Sequence, residues 1–393
     1  MTKPFIIGET DEELFNKSIE YNVKRGISVQ CHISDIHFGV IDPKVQFDIL
    51  QEQFLDAIDS IIFDCISVDG DLFKKLNMSN TDSVLYASLF VDKLVAKCRK
   101  DRTTLVLLAG TKEHDAGQLK LFYHYLADPT VDIRIVEDIR FEYIHGCKVL
   151  CIPELYGLDE NIYRKFLFES GLYDMVFMHG TIKGAVYGDN AGRGRVFSLE
   201  DFAYCGGPII AGHVHTGGCF DKYMYYNGSP IRWCFGEETE KGFQIVLYDM
   251  DTRWHLVHLV PIKSFRYDTI SIDDLLLNRP EEVIEYIDTL KEKEGIDYLR
   301  LRCIPTAEMQ NTLKIIQEYY KNNDTIKFKT EKLKSDAKLK ASQEQKELYD
   351  QYSYLFDKSM SAFDKLAQFI MDSASDVYIK GDDIKKLLEE DIA

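Results

Sequence analysis

Five separate apolar stretches of this chain end in aspartate or histidine, and that repeated ending constrains the fold more than any other feature. Ser34-Asp35-Ile36-His37 closes the first stretch, Asp69-Gly70-Asp71 the second, and the run from Gly110 to Asp115 (GTKEHD) the third. Met178-His179-Gly180 and Gly212-His213-Val214-His215 close two more. From Ile27 onward, short apolar segments alternate with amphipathic ones, which is the pattern of a layered α/β domain. Loops at strand C-termini gather along one edge of such a sheet, so polar side chains far apart in sequence can converge there. That edge is the expected site of chemistry.

The alternation is regular enough to set boundaries. Ile27, Val29, Cys31 and Ile33 alternate as a strand. Phe47, Leu50, Phe54, Ile58 and Ile61 recur at helical spacing, and Cys65 to Val68 is the next strand. A helix over 83–99 precedes a strand at 104–108, with further strands at 148–152, 174–178 and 209–211 and a hairpin at 243–248 and 254–260. From Lys263 a smaller α/β unit follows, read as strand, helix, strand, helix and strand over 265–272, 280–292, 298–303, 307–321 and 325–329. The chain is thus divided into an N-terminal extension (1–28), a large core (29–262), a small cap (263–330) and a lysine-rich tether with a helical region (331–393). In that last part Tyr352, Phe356, Phe363, Leu366 and Phe369 fall near one helical face. Such a stripe either packs back on its own protein or docks on a partner helix.

No stretch approaches the roughly 20 apolar residues needed to span a bilayer, and the N-terminus carries acids where a signal peptide would continue apolar. The expectation is a cytoplasmic protein (host cytoplasm if the source is viral) without membrane contact. Nine cysteines lie scattered in apolar runs without paired spacing, so they are expected to be reduced core residues. The net charge of −18 has the wrong sign for holding DNA by bulk electrostatics. Two stretches depart from it. Eight lysines against four acids lie between 321 and 346, and Lys183, Arg193 and Arg195 sit between two of the histidine motifs, where they could meet backbone phosphate. A solvated face is the commoner meaning of such runs.

Carboxylates mixed with neutral imidazoles suit Mn²⁺, Fe or Zn²⁺, whereas all-oxygen sets suit Mg²⁺ or Ca²⁺. In D-x-H and H-x-H the two side chains lie two apart in an extended segment and point to the same side, so each pair can serve one cluster. The candidates exceed what one ion needs. Two ions about 4 Å apart, sharing a carboxylate, would use them, activating a water and neutralising an attacked phosphate. Singly, an aspartate after a strand is usually a cap or turn former. The ordered set points to metal. Histidines 32, 124, 145, 255 and 258 lie outside it.

The series SDIHFG, DGDLF, GTKEHD, MHG and GHVH, in this order and spacing, resembles the calcineurin-like metallophosphoesterase superfamily. Asn227-Gly228-Ser229-Pro230-Ile231-Arg232, with Glu237, Glu240 and Lys241-Gly242-Phe243, looks like the segment after the last metal motif in SbcD-type recombination nucleases. The resemblance covers 29–262 strongly and 263–330 weakly. It implies two packed β-sheets flanked by helices, a small DNA-contacting α/β capping domain and a helical C-terminal tail. It also implies that Asp35, His37, Asp71 and His215 hold a first metal, with Asp71 bridging, and that His179 and His213 hold a second. His114 would be the catalytic acid or phosphate-orienting group, a role for which imidazole is the commonest side chain. Most members read Gly-Asn-His-Asp where this chain reads GTKEHD. Aligning on His-Asp puts Glu113 in the place of the coordinating asparagine, so Glu113 is expected to be a ligand.

The function so implied is a DNA nuclease requiring two divalent ions, Mn²⁺ being the expected one. It would act as a 3′-to-5′ exonuclease on duplex ends and an endonuclease on single strands or hairpins. The resemblance further implies a homodimer working with an SMC-like coiled-coil ATPase of the SbcC type in DNA repair, recombination or replication, the ATPase docking on the C-terminal region. A phosphatase or cyclic-nucleotide phosphodiesterase of the same superfamily is the competing reading, but such enzymes commonly lack a cap and a partner-binding tail. A third reading is a DNA-bridging subunit with weak catalysis.

Overall fold

The structure, a computed structural model, describes residues 27–75, 81–115, 117–185, 194–237 and 239–331. The N-terminal extension, Arg193, most of the lysine-rich run and the C-terminal helical region lie outside the described residues. The molecule is a layered α/β protein.

Strands β1 (Ser28–Ile33), β2 (Cys65–Asp69), β3 (Thr104–Leu108) and β4 (Asp132–Val136) run parallel to one another in a first sheet. Strands β5 (Arg140–Ile144), β6 (Cys147–Ile152) and β7 (Met175–His179) begin a second sheet, and the short β8 (Thr181–Ile182) and β9 (Val196–Phe197) pair outside it. The second sheet continues with β10 (Ile209–Gly212), β11 (Gly218–Asp221) and β12 (Met224–Tyr226), in the order β11-β12-β10-β7-β6-β5. The chain then returns to the first sheet as an antiparallel hairpin, β13 (Gly242–Tyr248) and β14 (His255–Pro261), giving the order β14-β13-β1-β2-β3-β4. The expected hairpin is therefore present, and it closes the sheet on the β1 edge. Strands β4, β5, β11 and β12 were not foreseen; their polar alternation, as in Arg140-Phe141-Glu142, gave them no continuous apolar run.

Continuous apolar strands are expected where both faces of a parallel sheet are covered. Val106, Leu108 and Val246 of the first sheet pack against Val149, Phe177 and Ile210 of the second, forming the core between the sheets. On the outer face of the first sheet lies the helix Thr81–Asp101, whose Ala87, Phe90, Val91, Leu94, Val95 and Cys98 recur at helical spacing and are buried. The helix Pro43–Leu50 starts with Asp42, whose carboxylate accepts from the backbone N–H of Lys44 and Val45, and with proline in the first turn. The outer face of the second sheet is covered by side chains such as Tyr163, Leu167 and Phe202.

The cap has its own core. Strands β15 (Tyr267–Ser271), β16 (Tyr298–Cys303) and β17 (Ile326–Thr330) form a parallel three-stranded sheet. The helices Pro280–Glu294 and Gln310–Tyr319 lie on one of its faces, enclosing Val283, Ile287, Leu299, Leu301 and Ile316. The alternate positions Tyr298, Arg300 and Arg302 turn to the other face.

Of the nine cysteines, Cys31, Cys65, Cys98, Cys147, Cys151 and Cys303 are buried and Cys205 is half-buried. Cys219 and Cys234 are exposed, which corrects the expectation that all nine are core residues. They sit on the strand β11 and in the loop before β13, where surface turns interrupt the apolar pattern.

Candidate metal centre

The parallel strands of both sheets end at the same edge, and their last residues are drawn together by close backbone contacts. The N–H of Asp35 donates to Gly70 O at 3.0 Å and that of His37 to Asp71 O at 2.9 Å, joining the segments after β1 and β2. At Gly212, which ends β10, an added Cβ would lie 2.3 Å from Asp69 O and 2.7 Å from His179 Nδ1. At Gly110, past β3, it would lie 2.2 Å from the backbone N of Asp71. Only glycine permits this approach, so the small residues in the motifs bring the polar ones together.

Asp71 is the centre of the assembly. Its Oδ2 lies 3.5 Å from His37 Nε2, 3.4 Å from His179 Nε2 and 3.9 Å from His114 Nε2. On one side Asp35, His37 and His215 converge, with His37 Nε2 and His215 Nε2 3.3 Å apart. On the other side Glu154, His179 and His213 converge, with His213 Nδ1 3.3 Å from Glu154 Oε2. In each group the potential ligand atoms lie within 4.8 Å of one another, and such clusters can hold metal ions.

Three observations fit metal to these residues. First, buried polar atoms are nearly always hydrogen-bonded, yet the buried His179 Nε2, which faces the Asp71 carboxylate at 3.4 Å, makes no well-aligned hydrogen bond among the described residues. Second, Asp35, His37, Asp71 and His213 have φ of 52°, 51°, 53° and 92°. Non-glycine residues rarely take such values, and strain of this kind persists where function demands it. Four of the seven such residues described are candidate ligands. Third, the charge balance invites a cation. Burial lowers the pKa of His179, but the carboxylates of Asp71, Asp35 and Glu154 outweigh burial and hold it well above the ordinary value. Burial keeps His37 well below the usual imidazole range, and burial with the neighbouring His179 brings His213 down to about 4. Neutral imidazoles are the ligating form.

A second layer fixes the ligands. His179 Nδ1 donates to Asp69 O at 2.8 Å, which aims Nε2 at Asp71. The Asp69 carboxylate accepts from His32 Nδ1 (2.9 Å), Ser67 Oγ (2.5 Å) and Asn227 Nδ2 (2.8 Å). His32 therefore serves the site from below, although it stood outside the motifs. Asp35 accepts from the N–H of His213 and from Ser34 Oγ. Asp115 accepts from the N–H groups of Leu72, Phe73 and Gly110, clamping the loop after β2 to the loop after β3. Burial and then the charge of Asp71 raise its pKa. Glu237 Oε1 lies 3.4 Å from His215 Nδ1, and Lys241 Nζ donates to His215 O and to Ser229 Oγ, both at 2.8 Å. The residues after the last histidine motif thus act as its support.

The structure brings together Asp35, His37, Asp71, His114, His179, His213 and His215. It does not bring Glu113. That carboxylate is exposed and accepts from Tyr156 OH at 3.2 Å. Residues 112–115 form a helical turn, so neighbours in sequence point about 100° apart, and a turn that aims His114 and Asp115 inward turns Glu113 out. The position expected for Glu113 is filled by Glu154, which follows β6. The Thr111 hydroxyl lies 2.9 Å from Glu154 Oε2 and 3.1 Å from Asp71 Oδ2, tying the two carboxylates together. Glu154 was not foreseen, although Ile152-Pro153-Glu154 is also an apolar strand ending in an acid.

The basic loop is also corrected in part. Arg195 is engaged inside the protein, paired with Glu160 and Asp201 and lying over the rings of Tyr163 and Phe197, so its guanidinium is committed to structure. Lys183 is exposed just after β8, four residues past His179. Among the described residues, no helix is long and apolar enough to cross a membrane.

No family model matches this chain, and no curated protein matches it. One solved crystal structure aligns with 60% of this chain and 99% of its own length, at 13% identity and a TM-score of 0.38. A likeness this slight carries no argument about function, which rests on the geometry above.

Proposed function

We propose that this chain is a two-metal phosphodiesterase that cleaves DNA. The observation that carries the reading is the placement of Asp71 between two ligand clusters, with His114 beside it. A pair of bound divalent ions, with Mn²⁺ expected from the ligand types, would supply a polarised phosphate and an activated water. The protein's own groups do the rest. His114 Nδ1 donates to Lys74 O, so the ring is held with Nε2 facing the cluster, placed to give a proton to the departing oxygen or to orient the phosphate. Glu154, His179 and His213 would hold one ion, and Asp35, His37 and His215 the other.

A polyanionic substrate is favoured by the cap. In a chain of net charge −18, Arg300 and Lys327 are register partners on β16 and β17, as are Arg302 and Lys329. This gives the cap sheet four cations in a row, against which Glu331, shared by Arg302 and Lys329, and Asp324, beside Lys327, set two acids on the exposed surface. Exonuclease action on duplex ends and endonuclease action on single strands, homodimerisation and work with an SMC-like coiled-coil ATPase remain parts of the proposal that come from the motif resemblance. The exposed Lys183 is proposed as a backbone-phosphate contact.

Labelled duplex and single-stranded DNA, incubated with Mn²⁺ and separately with chelator, test the reading alongside a phosphomonoester. Metal-dependent cutting of DNA with little monoester hydrolysis is expected. Hydrolysis of the monoester alone would establish a phosphatase instead, and no Mn²⁺-dependent cleavage would refute the nuclease.

A further inference from the structure

The segment 232–237 touches both the metal cluster and the cap. On the metal side, Trp233 packs edge-to-face on His37 and His215, with ring centroids 4.8 and 4.7 Å away. Glu237 meets His215 Nδ1 through one oxygen, at 3.4 Å, and accepts from the N–H of Trp233 through the other, at 3.1 Å. The two contacts to His215 are therefore linked within one short loop. Gly236, at φ 98°, allows the turn between them.

On the cap side, the N–H of Arg232 donates to Ser264 Oγ at 2.9 Å, at the entry to the cap. Phe235 stands edge-on to Tyr267 of β15 at 5.1 Å, and the Arg300 guanidinium of β16 lies 4.2 Å from the Phe235 ring centroid. Tyr267 stacks on Tyr298, which meets Phe265. The Phe235 ring is thus clamped in an aromatic row belonging to the cap sheet, with a cation over it. Nothing comparable reaches the other cluster. Glu154, His179 and His213 follow strands β6, β7 and β10 of the second sheet, and no cap side chain is in contact with them among the contacts described.

We infer that the segment 232–237 is a strap through which the cap sets the geometry of His215, making Phe235 and Arg300 positioning residues for the ion held by Asp35, His37 and His215. The inference rests on the metal reading of the cluster and adds to it a division of labour. A cap that shifts on its substrate would pull Phe235, and the loop would carry that shift to Trp233 and Glu237. His215 would then gain or lose its orienting carboxylate, while the ion between Glu154, His179 and His213 would be unaffected.

The test is calorimetric titration of the full chain with Mn²⁺ alone, for wild type, Phe235→Ala, Phe235→Tyr, Arg300→Met and, as a cap control on the helical face, Arg279→Ala. Loss of an orienting partner typically weakens metal binding by about 10–100-fold. Phe235→Ala and Arg300→Met should weaken one of two ions by about tenfold or more, leave the other unchanged, and show wild-type circular dichroism. Phe235→Tyr and Arg279→Ala should match wild type. In a Glu154→Gln background, the ion that remains should be the one weakened by Arg300→Met. Two ions bound normally by both clamp variants would overturn the inference alone, as would equal weakening of both ions with a lowered Tm. Should Phe235→Ala fail to fold, Arg300→Met decides. Wild type binding no Mn²⁺ would overturn the metal reading and the inference together.

Discussion

Glu154, His179 and His213 all follow strands of the second sheet, and their side chains are 0–3% exposed. Across Asp71, Asp35 and His37 follow β1 and are equally buried, but His215 is 33% exposed and is braced from outside by Glu237, Lys241 and Trp233. One half of the centre is therefore fixed by the sheet itself, and the other is completed by a side chain that depends on a loop shared with the cap. Packed strand ends hold ligands rigidly, because moving one requires moving a core at near-crystalline density. A loop-braced ligand can be tuned. If the centre takes up two ions as proposed, the ion of the sheet-held half is expected to stay bound while the other follows the state of the cap.

Several substitutions would break or sharpen this contrast. The largest effect is expected from Asp71→Asn, since both halves share that carboxylate. Cleavage should fall by about 10³-fold, the equivalent of several kcal/mol of lost charge stabilisation, and Mn²⁺ titration should show both ions weakened. His114→Ala should cost about 10²–10⁴-fold in cleavage with both ions still bound, because Asp35, His37 and His215 on one side and Glu154, His179 and His213 on the other remain to hold them. Retained cleavage in that variant would remove His114 from the chemistry. Glu154→Gln should weaken the buried ion alone, by more than the roughly 10–100-fold typical of an outer partner. Gly212→Ala should destabilise the protein by about 1–3 kcal/mol in a denaturant titration, because its Cβ has no room between the two sheets. Glu113→Ala should leave metal binding and cleavage unchanged. An effect of Glu113→Ala equal to that of Glu154→Gln would reverse the assignment made here.

The contrast also explains what could be read in the sequence. The D-x-H and H-x-H motifs were legible as site residues because they end apolar strands, but extended spacing does not account for their grouping: Asp35, His37 and His213 have positive φ, and while Asp35 and His37 share a group, His213 and His215 fall in different ones. The strands that carry them are buried along their length and were legible because β3 and β7 are mainly apolar runs while β1 alternates apolar with polar residues. Glu154 was hidden because it stands alone at the end of its strand, with no histidine beside it to mark the site. Glu113 was expected as a ligand because aligning on His-Asp put it in the place of the family's asparagine, but in the helical turn over 112–115 the residue before His114 points away from it. His32 stood outside the motifs and Asp69 was given no role within its own, and only the contacts of the Asp69 carboxylate with His32 and Asn227, and of its carbonyl with His179 Nδ1, reveal their task. Arg195 was read as free because its partners Glu160 and Asp201 come together with it only in the fold.

Anomalous diffraction from crystals grown with Mn²⁺ tests the central claim most directly. The account predicts two peaks roughly 3.5–4 Å apart, on either side of the Asp71 carboxylate, one reached by His215 and the other by Glu154. A single peak, or none within reach of Asp71, would contradict it.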